Sequence, residues 1–410
     1  MQKRAFAQLC NANNYAMLIS EPVRRKGGLV TECNTLANRH ASNPCDCNNE
    51  RAKNRVHNRI GVGQTCAKVI LFGEHSVVYG YSAVALPLKN LKMRATVSSA
   101  NAENASIAQN AENELNAGAQ KSQATDELVT QIENNPNKNS LQELAQSYVT
   151  LKALDFCGPL KNAPKRLNSI KTAIYKALQF ANWRGEALRV ETACDFPPER
   201  GLGSSAAAAG AVIRAILDYY AIEASEDQLF ALTQEAENVA HGKASGLDAK
   251  STASARAVRF LRGEFSNINI RLHAWLVLAD SGCKGQTRDT VEALRKKRDL
   301  NPHAVDAMLE QLGKIAISAQ DDLELGRPLE IGLKMSRAHK ILAQLGVSTP
   351  LLDELVSAAC KSGALGAKLT GGGGGGCVIA LAQNYDDALK VALALERAGA
   401  AKTWIVEIGS

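Results

Sequence analysis

The sequence predicts a mixed fold of strands and helices, arranged as two ordinary domains plus an extra segment, and three observations carry that reading. The chain runs to 410 residues and is 45% apolar, enough for sizeable cores. Continuous apolar runs of strand length recur along it, separated by stretches with helical spacing. Finally, Pro197 to Ala209 reads as a glycine-hinged loop that runs directly into a helix, because Gly201 and Gly203 allow positive φ and the alanines after them favour helix. The first amides of that helix, at the positive end of its dipole, face whatever sits over Gly203 to Ala206. Ser204 and Ser205 add hydroxyls suited to Mg²⁺ or to phosphate, so the stretch is a candidate phosphate cradle.

The net charge of +7 asks for an anionic partner until it is located. Residues 1–60 hold ten Lys or Arg against four Asp or Glu, which leaves the rest of the chain close to neutral. A basic nucleic-acid-binding face is therefore not expected. The ten cysteines are scattered, and Cys45-Asp-Cys47 lacks the second pair that a zinc ribbon needs, so they read as free thiols in a reducing compartment. No run approaches about 18 apolar residues, and Glu21, Arg24, Arg25 and Lys26 interrupt any signal-peptide core. A cytoplasmic protein without membrane contact is expected.

Residues 1–59 carry ten Asn and little hydrophobic periodicity, which predicts a mostly disordered basic extension. Order should begin near Ile60. Cys66 to Phe72 is an apolar strand holding one lysine, Lys68, and a buried lysine needs an anionic partner, either a carboxylate of the protein or a phosphate of a ligand. Glu74 and His75 follow Gly73 at the strand end, where polar groups can face a cleft. Ala83 to Leu88 and Met93 to Ser99 read as further strands, and an Asn-rich tract at about 100–140 reads as an exposed insertion. Lys165 to Phe180 has amphipathic helical spacing, and Ala187 to Thr192 is a strand leading to the glycine-hinged loop.

Beyond that loop's helix, Ser225-Glu-Asp-Gln228 is a capping box that opens a helix to about Ala240. Glu235 and Glu237 lie near its C-terminal end, where the dipole disfavours carboxylates unless a cation such as Mg²⁺ compensates. The turn His241 to Ala249 presents Asp248. Leu272 to Ala279 is a strand, followed by helices at Ala304 to Leu323, Pro328 to Leu345 and Leu351 to Ser362. The run Gly371 to Gly376 lies between a helix and the strand Val378 to Leu381, so it reads as a rigid loop approaching a ligand rather than as a linker.

Three separated motifs then match one family. Lys68-Val-Ile-Leu-Phe-Gly-Glu74-His75-Ser-Val-Val-Tyr-Gly80, Glu199-Arg200-Gly201-Leu202-Gly203-Ser204-Ser205-Ala206 and Lys368-Leu-Thr370-Gly371 to Gly376-Cys377 resemble the signature motifs of the GHMP small-molecule kinases. Their wording, with Ser245-Gly-Leu-Asp248, is similar to the mevalonate kinase branch in its shorter bacterial form. The resemblance implies an α+β fold of two domains, ribosomal-protein-S5-like at residues 60–262 and ferredoxin-like at 263–410. It also implies transfer of the γ-phosphate of ATP to the primary hydroxyl of (R)-mevalonate. Under it, Asp248 and Lys68 are catalytic, while Pro198, Arg200, Gly201, Leu202, Gly203, Ser204, Ser205 and Ala206 bind ATP. Glu74, His75, Ser204, Gly371 and Gly372 meet the substrate, and Ser205 with Glu237 holds Mg²⁺. Ala244 stands where the family commonly has proline, and Ser281 where threonine is commoner.

Three other readings stay open on sequence, one of them an RNA-associated protein that binds through the basic residues 1–59. A sister kinase such as a phosphomevalonate kinase would share the loops but need extra cationic residues. A non-catalytic nucleotide or metabolite sensor would be expected to have lost Lys68 or Asp248, and both are present. The expected partners are mevalonate and ATP, with no nucleic acid or membrane and with a homodimer allowed.

Overall fold

A computed structural model describes residues 59–100, 138–242 and 244–409. The expected disordered extension and the Asn-rich insertion lie outside the described residues, apart from their edges. In chain order the elements open with β1 (Gly61–Phe72), β2 (Ala83–Ser99), α1 (Lys138–Tyr148), β3 (Val149–Ala153), β4 (Phe156–Pro159), α2 (Asn168–Phe180) and β5 (Leu188–Cys194). They continue through α3 (Ser204–Tyr219), α4 (Glu226–His241), α5 (Leu247–Ala253), β6 (Ala257–Leu261), β7 (Glu264–Ile268) and β8 (Ala274–Asp280). Last come α6 (Thr287–Leu300), α7 (Pro302–Glu324), α8 (Pro328–Leu345), α9 (Pro350–Lys361), β9 (Gly366–Thr370), β10 (Cys377–Ala382), α10 (Tyr385–Arg397) and β11 (Lys402–Ile408).

Two expectations change. The strands read at Ala83 to Leu88 and Met93 to Ser99 are one, since β2 runs straight through the exposed Lys89 and Asn90 with extended backbone. Helices α1, α6 and α10 and strands β3, β4, β6, β7 and β11 have no counterpart in the sequence reading; along α6 only Thr290 and Leu294 are buried, and so few apolar positions give no visible period.

The described residues fall into two compact units. One holds the described residues up to Gln64, Arg94–Ala193 and Ala208–Ala240, and the other Thr65–Met93, Cys194–Ala207 and His241 onward. In the first unit β3 pairs antiparallel with β4 and parallel with β5. The face of α2 predicted by its spacing is buried, at Ile170, Ile174, Ala177 and Leu178. The alanines of α3 answer to more than helix propensity: a Cβ on Gly61 would lie 2.2 Å from Ala215 O, and one on Gly63 1.9 Å from Ala211 O. Backbones that close admit only small side chains on both sides.

In the second unit β2 pairs antiparallel with β6, which returns as β7 through a two-residue turn with positive φ at Arg262 and Gly263, the mirror-image turn that suits strand twist. Ala83, Ala85, Leu247 and Phe260 form a core there, with the Phe260 and Phe265 rings 5.0 Å apart. A second, fully antiparallel sheet has the order β11-β8-β10-β9. With helices between β8 and β9 and between β10 and β11, this is the βαββαβ plan of ferredoxin-like domains. Its register puts Asp280, Cys377 and Thr370 in one row at one end of the sheet, and that row launches both the Ser281 loop and the six-glycine loop. Among the described residues no helix is long and apolar enough to cross a membrane.

Candidate active site

Lys68 lies in the buried half of β1, 2% exposed, and its surroundings account for the cost of keeping an ammonium there. Its amide donates to Leu202 O (3.0 Å), its Nζ donates to Gly201 O (3.2 Å), and Nζ ion-pairs with Asp248 Oδ1 at 2.9 Å. Of the two kinds of partner open on sequence, Asp248 supplies the carboxylate. Asp248 sits in the first turn of α5, after Gly246 at φ 86, where a helix favours a negative side chain. Its side chain keeps 43% of its surface exposed, so the acid faces outward while its cation stays inside.

Gly203 has φ 72, and a Cβ there would meet Lys68 Cε and Cγ and Thr252 Cγ2, each at 3.0 Å. The glycine is thus required twice, for its backbone angle and for room. Ala207 N donates to Gly203 O at 2.9 Å, so the amides of Ser204, Ser205 and Ala206 precede the first intrahelical bond of α3, and the geometry of an anion cradle is present. Ser204 Oγ accepts from Glu199 N at 3.3 Å, which ties the loop's entry to the helix, and Pro198 is exposed. Gly201 and Gly371, both at positive φ, pass so close that a Cβ on Gly371 would lie 3.0 Å from Gly201 Cα. Arg200 directs its guanidinium to Asp280 Oδ1 (2.9 Å) and Gly282 O (3.1 Å).

Glu74 is 1% exposed and forms a buried ion pair with Lys368, which is wholly buried. Lys368 Nζ also donates to Leu369 O (2.7 Å), while Glu74 Oε2 has no hydrogen-bond partner among the described residues. Burial raises the Glu74 carboxyl above its ordinary 4.5 and lowers the Lys368 amine below 10.5, each against the pull of its partner's charge. Thr370 Oγ1 both accepts from Ile70 N and donates to Ile70 O, each at 3.0 Å, so β1 and β9 are locked at the same point. Beyond that lock His75, at φ 59, donates from Nε2 to Gly372 O at 2.8 Å. Burial holds its pKa below 6.5, so the ring is neutral at neutral pH with its proton on Nε2. Gly372 O also accepts from Thr290 Oγ1 at 2.8 Å, and with Gly374 N donating to Val347 O the glycine run is tied down as a fixed loop.

Glu237 belongs to the first unit, on α4, where it is 4% exposed and accepts from Ser169 Oγ at 2.9 Å. Glu235, the other acid of that turn, is paired with Lys176. Carboxylate oxygens are donors that Mg²⁺ prefers, and Glu237 is of that kind. Among the described residues no group of three or more His, Cys, Asp or Glu could hold a metal ion.

The second unit thus brings Lys68, Asp248, Gly201, Leu202 and Gly203 together, and joins Glu74 and His75 to the Gly371 loop. Sequence reasoning missed Lys368 as the partner of Glu74 and Asp280 as the partner of Arg200. Lys368 offered the same signal as Lys68, an ammonium inside a buried strand.

Residues 168–254 match the GHMP kinases N terminal domain and residues 314–401 the GHMP kinases C terminal domain. Over 334 residues the chain is 31% identical to the mevalonate kinase of Thermococcus onnurineus, covering 80% of this chain and 91% of that one. The structure of L. major mevalonate kinase in complex with R-mevalonate has TM-score 0.64 and 22% identity, covering 84% of this chain and 95% of that one, a likeness in fold. Mevalonate kinase from methicillin-resistant Staphylococcus aureus has TM-score 0.60 and 25% identity, with 86% and 100% covered.

Proposed function

The chain belongs to the GHMP kinase family, its relatives over almost their whole length being mevalonate kinases, and from that premise we infer that it phosphorylates the primary hydroxyl of (R)-mevalonate with ATP. The product is 5-phosphomevalonate, an isoprenoid precursor. The Lys68–Asp248 pair, 2.9 Å apart and tied to Gly201 of the glycine-hinged loop, carries the reading. Phosphoryl transfer demands little covalent work from a protein beyond positioning and charge neutralisation.

Each residue then has a task. Pro198 to Ala206 cradle the nucleotide, with the first turn of α3 turned toward its phosphates. Asp248 accepts the hydrogen bond, and then the proton, of the substrate hydroxyl. Lys68 pairs with Asp248 and sets its positive charge beside the transferred group. His75, Ser204, Gly371 and Gly372 flank the substrate, and Glu74, the remaining residue of that set, is joined through Lys368 to Ile70 O of β1. Ser205 and Glu237 would hold Mg²⁺, which when bound neutralises phosphate charge. The division at about residue 262 is supported by the two family matches falling on either side of it. Thiols outside any disulfide among the described residues, such as Cys157, Cys283, Cys360 and Cys377, suit a reducing cytoplasm as its setting.

An ADP-release assay over mevalonate, phosphomevalonate, galactose and homoserine tests the reading, with turnover expected on mevalonate alone. Preference for phosphomevalonate would make the chain the sister kinase, and no turnover of any alcohol would favour a sensor. In the same assay Glu237→Gln should need several times more Mg²⁺ for half-maximal rate, and an unchanged Mg²⁺ titration would put the metal ligand elsewhere.

A further inference from the structure

Arg200 stands directly before Gly201, where its family resemblance puts it on the nucleotide, yet its guanidinium is directed into the protein. Nε donates to Asp280 Oδ1 at 2.9 Å, Nη2 donates to Gly282 O at 3.1 Å, and the same Asp280 oxygen accepts from Gly282 N at 2.9 Å. The two side chains are only 15% and 8% exposed. A planar fork reaching two acceptors in fixed directions suits arginine and not lysine.

The surrounding backbone repeats the connection. Glu199 O accepts from Gly285 N at 2.9 Å, and the Glu199 carboxylate pairs with Lys284 Nζ at 2.5 Å. Ser281 N donates to Gly376 O at 3.0 Å, Gly376 N donates to Cys283 O at 2.9 Å, and a Cβ on Gly376 would lie 2.9 Å from Arg200 O. Three loops, at 199–203, 281–285 and 371–376, are therefore cross-tied, with the Arg200–Asp280 pair in the middle. The first needs such a tie: Glu199, Gly201 and Gly203 all have positive φ, and a loop with two glycines has much freedom to lose when it takes one shape around a ligand.

We propose that Arg200 and Asp280 are positioning residues that hold the Glu199–Gly203 loop in its nucleotide-binding shape, Arg200 acting through Asp280 and not by touching ATP. The proposal rests on the reading of that loop as the ATP cradle. It makes the end of β8, remote in sequence, a determinant of nucleotide affinity.

The experiment is calorimetric titration of ATP without any acceptor alcohol, together with initial rates against ATP and mevalonate. The variants are Asp280→Ala, Arg200→Met, Arg200→Lys and the double variant Arg200→Met with Asp280→Ala. Each single change should weaken ATP binding by about 10- to 100-fold, the range for lost positioning, while the KM for mevalonate stays near the parent's. The double variant should be no worse than either single, because both remove one interaction, and Arg200→Lys should not rescue. Parental ATP affinity in Asp280→Ala alongside a loss in Arg200→Met would overturn the proposal, since Arg200 would then contact the nucleotide itself. Additive losses would overturn it too, as would equal loss of both substrates with a lowered Tm. If Asp280→Ala does not fold, Asp280→Asn replaces it, with a smaller shift in the same direction expected and no shift counting against the proposal. A parent that binds ATP but ignores mevalonate sinks the substrate reading alone, whereas unchanged ATP binding in the variants sinks the positioning role alone.

Discussion

Lys68 is 2% exposed while Asp248, its partner at 2.9 Å, keeps 43% of its side chain exposed. That asymmetry suits the parts proposed for them, the lysine as a fixed charge and the acid as the group that meets the substrate. Asp248→Asn keeps the shape and some hydrogen bonding but removes the charge, so kcat should fall by roughly 10² to 10⁴, the span of a general base. Nucleotide affinity should hardly move, because the phosphates are assigned to the loop and to α3. Rates under saturating ATP, with a nucleotide titration of the same variant, check this. Turnover within a few-fold of the parent would remove Asp248 from the chemistry. The buried lysine loses part of its compensation in this variant, so a melting curve must accompany the rates.

Among the elements, the loop entering α3 is the most constrained, and its glycines can be separated by cause. Gly203 combines φ 72 with three contacts at 3.0 Å, two of them on Lys68. Gly263, in the β6–β7 turn, has φ 93 and nothing within 4 Å of an added Cβ. Alanine at either should cost about 1–2 kcal/mol of stability from the backbone angle. Only Gly203→Ala should also push Lys68 and lower kcat by an order of magnitude or more. Thermal melts and rates on both variants test the distinction, and equal activity in the two would show that crowding at Lys68 is unimportant. In α3 the alanines opposite Gly61 and Gly63 follow the same logic of close approach. Helix α6 shows the reverse, a helix with almost no buried face, placed by what its ends hold, such as Thr290 on Gly372 O and Arg298 over the Tyr79 ring.

Taken as a whole, the folded chain carries, among its described residues, two buried histidines, His75 and His339, that lower its stability in acid. Burial is the main cause for both, holding His75 and His339 below 6.5, with Asp353 opposing it at His339. His339 Nδ1 accepts from Leu369 N at 3.4 Å and its Nε2 faces Asp353 Oδ1 at 3.1 Å, so a proton on Nδ1 would set one N–H against another. Between the folded pKa and 6.5 the unfolded chain binds more protons. The stability from these rings is therefore complete above 6.5 and is lost as pH falls through the folded values. Each should therefore leave the protein less stable at pH 5.5 than at pH 7.5. Melting at pH 7.5 and pH 5.5 should show a larger drop for the parent than for His339→Gln, and equal drops would rule out His339 as a contributor.

Short-range chemistry was readable in the chain. Glycines where φ must be positive, alanines ahead of a helix, a lysine in an apolar strand and an acid after Ser-Gly-Leu are requirements satisfied within a few residues, so the loop, the strand and the family motifs could be found without coordinates. The helices α7, α8 and α9 were equally legible, because their buried faces repeat at helical period. What the tertiary structure alone decided is which charge meets which. Glu74 lies 294 positions from Lys368, and Arg200 lies 80 from Asp280. No local pattern encodes such pairs. They are fixed by strand register, which sets Asp280, Cys377 and Thr370 in one row, and by the ties that bring β1 to β9, and a buried ion then takes whatever partner that packing leaves within reach.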